Sequence, residues 1–232
     1  MAEISPDNFE GFTTDTLVFL KELAENNNKA WFENHRGEYQ EHLLRPFQLL
    51  VSELSELMLS IDPQFETRPA IDKTLSRIYR DTRFAKDKSP YRPRMWLSFK
   101  RLSKDWKTAP AYFFELSQDG YRYGMGFYGA TRETMERLRE MIDEEAREFW
   151  KAMVQYRGQD VFHLEGEQYK RVRDPEKPDY LQDWYQRKNI FLICNCEIDQ
   201  RLFSRELVEE LARGFLQLVP LYRFFRNLVD SE

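Results

Sequence analysis

The chain is poor in reactive and in flexible residues. Its 232 residues include two cysteines, three histidines and nine glycines. Cys194 and Cys196 are separated by one residue on an expected strand, too close for an ordinary structural disulfide. So few cysteines fit a reducing cytoplasm, and a lone C-x-C pair falls short of the four ligands of a structural zinc site. Low glycine beside 32% charged and 41% hydrophobic residues excludes a disordered chain and points to a compact, helix-rich one. No apolar run reaches the roughly 20 residues of a membrane helix. The start, Met1-Ala2-Glu3-Ile4-Ser5, has neither a basic region nor an apolar run, so no secretory leader is expected. There is no serine nucleophile elbow, phosphate loop or zinc-protease helix, and no internal repeat. The expectation is a soluble cytoplasmic protein with no membrane partner, cofactor, metal ligand or assigned catalytic residue.

What is present reads as one domain, residues 1–232, opened by an arm (1–12) with Phe9 and Phe12 as anchors. Thr13 or Thr14 can cap a first helix that buries Leu17, Leu20, Leu23 and Ala24. Asn26-Asn27-Asn28 ends it, and Asn28 can cap the next. That second helix carries Phe32, Tyr39, Leu43, Phe47, Leu50, Leu54, Leu57 and Ile61 at three- and four-residue steps, with hydrophilic Arg36 in one gap. Pro46 should kink it or split it near Arg45. Strands are expected at 95–99, 111–117 and 121–128, the last two joined by a Gln118-Asp119-Gly120 hairpin turn. A strand and turn follow at 161–173. The run 190–196 is the most apolar and reads as the central strand, with its two thiols buried. Further helices start at Thr131, near Phe149, at Asp179 as a cap, and at Ser204, the last broken or kinked by Pro220. Together these give an α+β fold, a mainly antiparallel sheet braced by long N-terminal and C-terminal helices.

Gly124-Met125-Gly126-Phe127-Tyr128-Gly129 spells G-x-G-x-x-G. A dinucleotide site needs that pattern at the first turn of a βαβ unit, with an acidic residue about 20 positions on, after the next strand. Here the strand belongs to a hairpin, and Asp143, Glu144 and Glu148 fall in a helical pattern. The reading is a glycine-lined strand approached closely by another backbone or a ligand.

Chemistry concentrates in residues 77–94, Arg-Ile-Tyr-Arg-Asp-Thr-Arg-Phe-Ala-Lys-Asp-Lys-Ser-Pro-Tyr-Arg-Pro-Arg. The wider window 73–107 has twelve cationic and three anionic side chains, a net +9, on a chain whose total is −5. Such asymmetry is the mark of a local anion-attracting field on an acidic body. Read as extended chain, Arg77, Tyr79, Asp81 and Arg83 share one face, and Ile78, Arg80, Thr82 and Phe84 the other.

This segment resembles the signature of the family catalogued as domain of unknown function 2461. Phe19-Leu20-Lys21-Glu22-Leu23 with Asn26-Asn27-Asn28-Lys29-Ala30-Trp31-Phe32 is similar to a second piece of it. Leu164-Glu165-Gly166-Glu167 with Tyr169-Lys170-Arg171 is similar to a third, and the closing Pro220-Leu221 helix completes the order. Ala85 stands where such sequences usually carry Ser, which removes one hydroxyl. The resemblance implies an α+β domain and no particular activity.

Three functions fit the residues. In the first, a small phosphate- or carboxylate-bearing ligand is bound by Arg77, Arg80 and Arg83. Lys86 and Lys88 supplement the charge, Tyr79 and Tyr91 orient the ligand, and Asp81 orients the arginines. Asp81 or a tyrosine is then the one candidate acid or base. In the second, the cations and Tyr79, Phe84, Tyr91, Trp96 and Trp106 track a nucleic acid, against which stands a pI near 5.5. In the third, the segment pairs with an acidic face of this chain or a protein partner. His35 and His42 lie about two helical turns apart, too far to share a metal; Glu38 could join His35, but a di-metal pattern needs more carboxylates.

Overall fold

The computed structural model describes residues 8–83, 85–103 and 106–230. Phe84, Lys104 and Asp105 of the basic window, and residues 1–7 of the expected arm, lie outside them. The remaining anchors of the arm behave as expected: Phe9 and Phe12 are buried.

Helix α1 (Thr14–Glu25) starts from an extended Thr13, whose amide donates to Thr16 Oγ1 at 3.2 Å. That hydroxyl donates in turn to the His42 carbonyl at 2.6 Å, so a buried polar group fastens α1 to the segment after the next helix. Asn28 caps helix α2 (Lys29–Asn34), accepting from the Trp31 amide at 3.0 Å. The single long helix expected here comes in pieces. Backbone at His35 departs from helical values, and helix α3 (Arg36–Glu38), a π-helical segment (Tyr39–Leu44) and helix α4 (Arg45–Ile61) follow. Pro46 follows the π segment directly, with helical backbone running through Leu44 and Arg45. Its missing N–H leaves the His42 carbonyl, which accepts from Thr16 instead, and the division expected near Arg45 is a change of helix type rather than a break. The π segment is not legible in three- and four-residue spacing, because one wide turn barely disturbs the apolar stripe.

The strands are β1 (Arg94–Phe99), β2 (Pro110–Ser117), β3 (Tyr121–Phe127), β4 (His163–Glu165) and β5 (Phe191–Cys196). They form one antiparallel sheet in the order β1-β2-β3-β5-β4, with Leu164 opposite Leu192. The fold class is the expected α+β. The β2–β3 hairpin turns at Gly120, whose carbonyl accepts from the Ser117 amide at 3.0 Å. The central strand is β3, not the apolar run of β5, which is interior but one place off centre. Its thiols, expected to be buried, are half-exposed. Of the expected 161–173 strand, only the short β4 forms.

Helices α5 (Arg132–Glu144), capped by Thr131, α6 (Ala146–Arg157) and α7 (Asp179–Gln186) follow the expected pattern. Pro178 rather than Asp179 is the N-cap of α7. Ser204 Oγ accepts from the Glu206 amide at the start of α8 (Glu206–Asp230). Pro220 does not end α8, which runs through it for 25 residues. Among the described residues no helix is long and apolar enough to cross a membrane.

By contact the chain divides into two units: Met1–Phe99 with Phe114–Arg122 and Asn195–Ala212, and Lys100–Phe113 with Tyr123–Cys194 and Arg213–Glu232. In the first, Phe12 stacks on Phe114 (centroids 5.9 Å apart) and meets Phe47 edge-on (5.1 Å). In the second, Phe215 packs on Tyr112 and Tyr123, and Phe149 on Trp184 and Phe224. Each such ring contributes about 2–3 kcal/mol by burial.

The G-x-G-x-x-G stretch belongs to the second unit. Gly124 has φ +157°, and a Cβ there would stand 1.9 Å from the Leu192 carbonyl oxygen; one at Gly126 would stand 2.5 Å from that of Ile190. These glycines admit the neighbouring β5 backbone, as expected, and leave no phosphate-binding turn.

Candidate functional site

The basic stretch is held as a short antiparallel pairing within the first unit. The Arg80 amide donates to the Pro90 carbonyl (2.8 Å) and the Arg92 amide to the Ile78 carbonyl (2.9 Å). Tyr79 and Tyr91 between them form a non-hydrogen-bonded pair, the geometry that brings facing side chains closest. The alternation is the one expected from the sequence: Arg77, Tyr79, Asp81 and Arg83 are exposed, Ile78 is buried, and Arg80 and Thr82 are half-buried.

In such a pair the backbone groups point outward and need other partners. Asn27 supplies them for Tyr91. Its Oδ1 accepts from the Tyr91 amide and its Nδ2 donates to the Tyr91 carbonyl, both at 3.0 Å. One side-chain amide thus acts as a miniature edge strand. On the other side the Arg92 guanidinium donates to the carbonyls of Tyr79 (2.8 Å) and Arg77 (3.2 Å) and lies over the Trp96 ring.

The three arginines expected to hold a ligand have carboxylate partners of their own. Arg77 makes a two-pronged pair with Asp72, Arg83 with Asp81, and Arg80 bonds Asp87. Hydrogen bonds from Arg83 hold the Asp81 carboxyl down at about 2; those from Ser89, then Arg80, do the same for Asp87. Arg94 lies 3.9 Å from Glu115. Exposed pairs of this kind are weak in water and exchange readily for another anion. Lys86 and Lys88 have no carboxylate partner among the described residues, and the Arg92 charge helps to lower Asp81. Lys88 donates to the Thr82 carbonyl at 2.9 Å, and Lys86 is exposed.

Beneath the loop lies a group the sequence reading missed as a unit. Phe32 stacks on Tyr91 (4.2 Å) and touches Tyr39 (5.4 Å) and Tyr79 (5.8 Å), while Tyr79 and Tyr91 are 5.2 Å apart. Tyr91 is 1% exposed, so its ring is part of the packing; Tyr79 is 47% exposed. Arg36 caps the group, its guanidinium 6.0 Å from the Phe32 centroid, bonded to Glu33 at 2.8 Å and interacting with the Tyr79 hydroxyl. Tyr39 opens the π segment. It is 7% exposed, and its hydroxyl is buried without a hydrogen-bond partner. Burial, and then the neighbouring Tyr79, push this phenol up to about 12; burial raises Tyr91 as well. The one sequence signal was Arg36 interrupting the apolar stripe of its helix.

The third motif, residues 164–171, lies in the second unit. Gly166 has φ +132°, and the Asn189 carbonyl occupies the place of a Cβ. Arg187 donates to the Gly166 carbonyl, and the Glu167 amide to Asn189 Oδ1. Arg139, Arg173 and Lys188 surround the Tyr169 ring. The Gly166 carbonyl and the Glu167 amide are occupied in fastening the segment, while Lys170 and Arg171 are exposed.

All three motifs therefore have defined structural places, and the profile of the conserved hypothetical protein family DUF2461 matches residues 15–224. The chain belongs to that family. A search of curated proteins finds no match. For this DUF2461 protein the first two motifs meet physically, through Asn27, Phe32 and Tyr91, and that junction forms the floor of the basic loop.

Proposed function

We propose that the protein binds a small phosphate- or carboxylate-bearing molecule over the Tyr39–Tyr79–Arg36 group, within the field of the basic loop. The observation that carries this is the Tyr39 hydroxyl. A buried phenol without a partner costs about 1–3 kcal/mol, and native proteins rarely retain one without a reason. Near neutral pH it keeps its proton; it is closed off from solvent, so an anionic oxygen reaches it by displacing a neighbouring side chain. Arg36 and the exposed Tyr79 supply further donors. Lys86 and Lys88 supply charge, and Arg77, Arg80 and Arg83 can trade an exposed carboxylate for a ligand oxygen. Asp81 orients Arg83, and Tyr91 holds the packing beneath Tyr79.

The same geometry argues for recognition rather than acid–base chemistry. A carboxyl held near 2 and a phenol near 12 are both far from the range where proton transfer at neutral pH is efficient. Stacking of nucleic-acid bases is less well supported. Arg92 covers the Trp96 ring, and Lys100 sits 3.4 Å from the centroid of Trp106.

Calorimetric titration at low salt with inorganic phosphate, pyrophosphate, mononucleotides, dicarboxylates and short oligonucleotides tests this. Binding of a small anion, weakened at least about tenfold in Arg36→Gln, is the expected result. Equal affinity in Arg36→Gln and Tyr79→Phe, or binding of oligonucleotides alone, would overturn it.

A further inference from the structure

A second cluster is formed by α1 and the residues around the helix break. Glu22 on α1, His35 at the helix break and Glu38 on α3 each place a ligating atom within 4.8 Å of the others. The route from sequence to this geometry is short. His35 caps the start of α3 and Glu38 is its last residue, so one turn of chain brings the two side chains to the same side. Glu22 follows Phe19 by three residues, and Phe19 anchors α1 on Trp31 (5.8 Å) and Tyr39 (6.2 Å), on either side of His35 in the chain.

The imidazole is oriented as well as near. Its Nδ1 lies 2.7 Å from the Trp31 carbonyl oxygen. A carbonyl can only accept, so Nδ1 carries a proton, and in the neutral ring Nε2 is the nitrogen with a lone pair to give a metal. The ring also stacks on the Trp31 indole, with centroids 4.0 Å apart and planes 14° from parallel. A backbone carbonyl on one nitrogen, leaving the other basic, is how metal-bound histidines are held. Glu22 and His35 are half-buried and Glu38 is exposed. An ion could enter from the Glu38 side and keep water in its remaining positions.

We propose that Glu22, His35 and Glu38 bind a divalent first-row transition-metal ion. Two carboxylates and one imidazole are too nitrogen-rich for calcium or magnesium, which prefer all-oxygen sites, and lack the soft sulfur that selects copper(I). Zinc and manganese fit the set, and zinc is the tighter of the two in the usual order of affinities. Ligands about 2.0–2.2 Å from zinc lie roughly 3.3 Å apart. The carboxylates need close only a short distance, which the exposed Glu38 side chain can cover. The ion also removes the repulsion between two carboxylates in one place.

The test is calorimetry with zinc, manganese and magnesium chlorides on the full chain, in a Cys194→Ser/Cys196→Ser background that removes the thiols as competing ligands. Imidazole nitrogen spectra report the atom bound. Zinc should bind one to one, shift Nε2 and not Nδ1 of His35, and lose about tenfold or more in affinity in Glu22→Gln and in Glu38→Gln. Magnesium should give no comparable binding. Tyr39→Phe should leave zinc affinity unchanged, which separates this site from the anion site. No zinc binding, unchanged affinity in both glutamine variants, or an unmoved His35 Nε2 would overturn the proposal. Glu38 is exposed, so Glu38→Gln retains the fold if Glu22→Gln does not.

Discussion

Replacing Asn27 with alanine should cost more than any local property of that residue suggests. Its side chain satisfies both backbone groups of Tyr91 across 64 positions of sequence. In Asn27→Ala the Tyr91 amide and carbonyl lose partners in a partly buried place, at about 1–1.5 kcal/mol each. The sum, roughly 2–3 kcal/mol, corresponds to a fall in Tm of about 5–10 °C for a chain of this size. Hydrogen exchange at the Tyr91 amide should rise sharply. The Arg80 and Arg92 amides, bonded across the pairing, should stay protected until the loop opens. Asn27→Asp refines the test. The carboxylate still accepts from the amide but sets a negative charge against the Tyr91 carbonyl. Its deficit relative to wild type should match or exceed that of alanine at pH 7 and narrow below about pH 4, where a protonated carboxyl can donate. A loss under about 0.5 kcal/mol in Asn27→Ala, or an Asp variant whose deficit ignores pH, would refute the reasoning.

Gly124→Ala should lower stability by about 3 kcal/mol or more, because a Cβ at φ +157° meets the Leu192 carbonyl at 1.9 Å; wild-type melting would show that β3 and β5 are not packed as described. Glu66 is buried, and Arg68 bonds hold its carboxyl down at about 2. Its contribution, on the order of 2 kcal/mol, is complete above the ordinary glutamate range and is lost as pH falls from about 4 through 2. In urea melts the deficit of Glu66→Gln should therefore shrink toward zero across that window, and a constant deficit would contradict it. Lys86→Ala/Lys88→Ala should leave Tm nearly unchanged but flatten the salt dependence of anion binding, since both side chains are exposed and lack a carboxylate partner among the described residues.

The legible parts of the sequence were those written in neighbouring residues. Asn28 as a cap, the Asp-Gly hairpin and the alternation from Arg77 to Arg83 depend on local backbone preference, and each stands as read. The glycines of β3 were read correctly because a literal motif lay in the wrong supersecondary setting. Pro220 was read as breaking or kinking the last helix; it does not break it, because a proline inside a long helix can be tolerated by its packing. Net charge alone could not show that Arg77, Arg80 and Arg83 each find a carboxylate within a few residues. Tyr39 looked like one more member of an apolar stripe, and nothing in spacing reveals that its hydroxyl ends without a partner. Asn27 and Glu22 act across distances that periodicity does not encode.

Tyr39→Phe tests the central claim most directly, in thermal melts of both proteins at low salt with and without the anion panel. Deleting an unpartnered buried hydroxyl should stabilise the free protein by about 1 kcal/mol, a rise in Tm of roughly 2–4 °C. The same change should abolish or strongly reduce the ligand-induced shift seen in wild type. A variant that melts lower than wild type and responds equally to ligand would contradict the account, because the hydroxyl would then be paired within the fold and idle in binding.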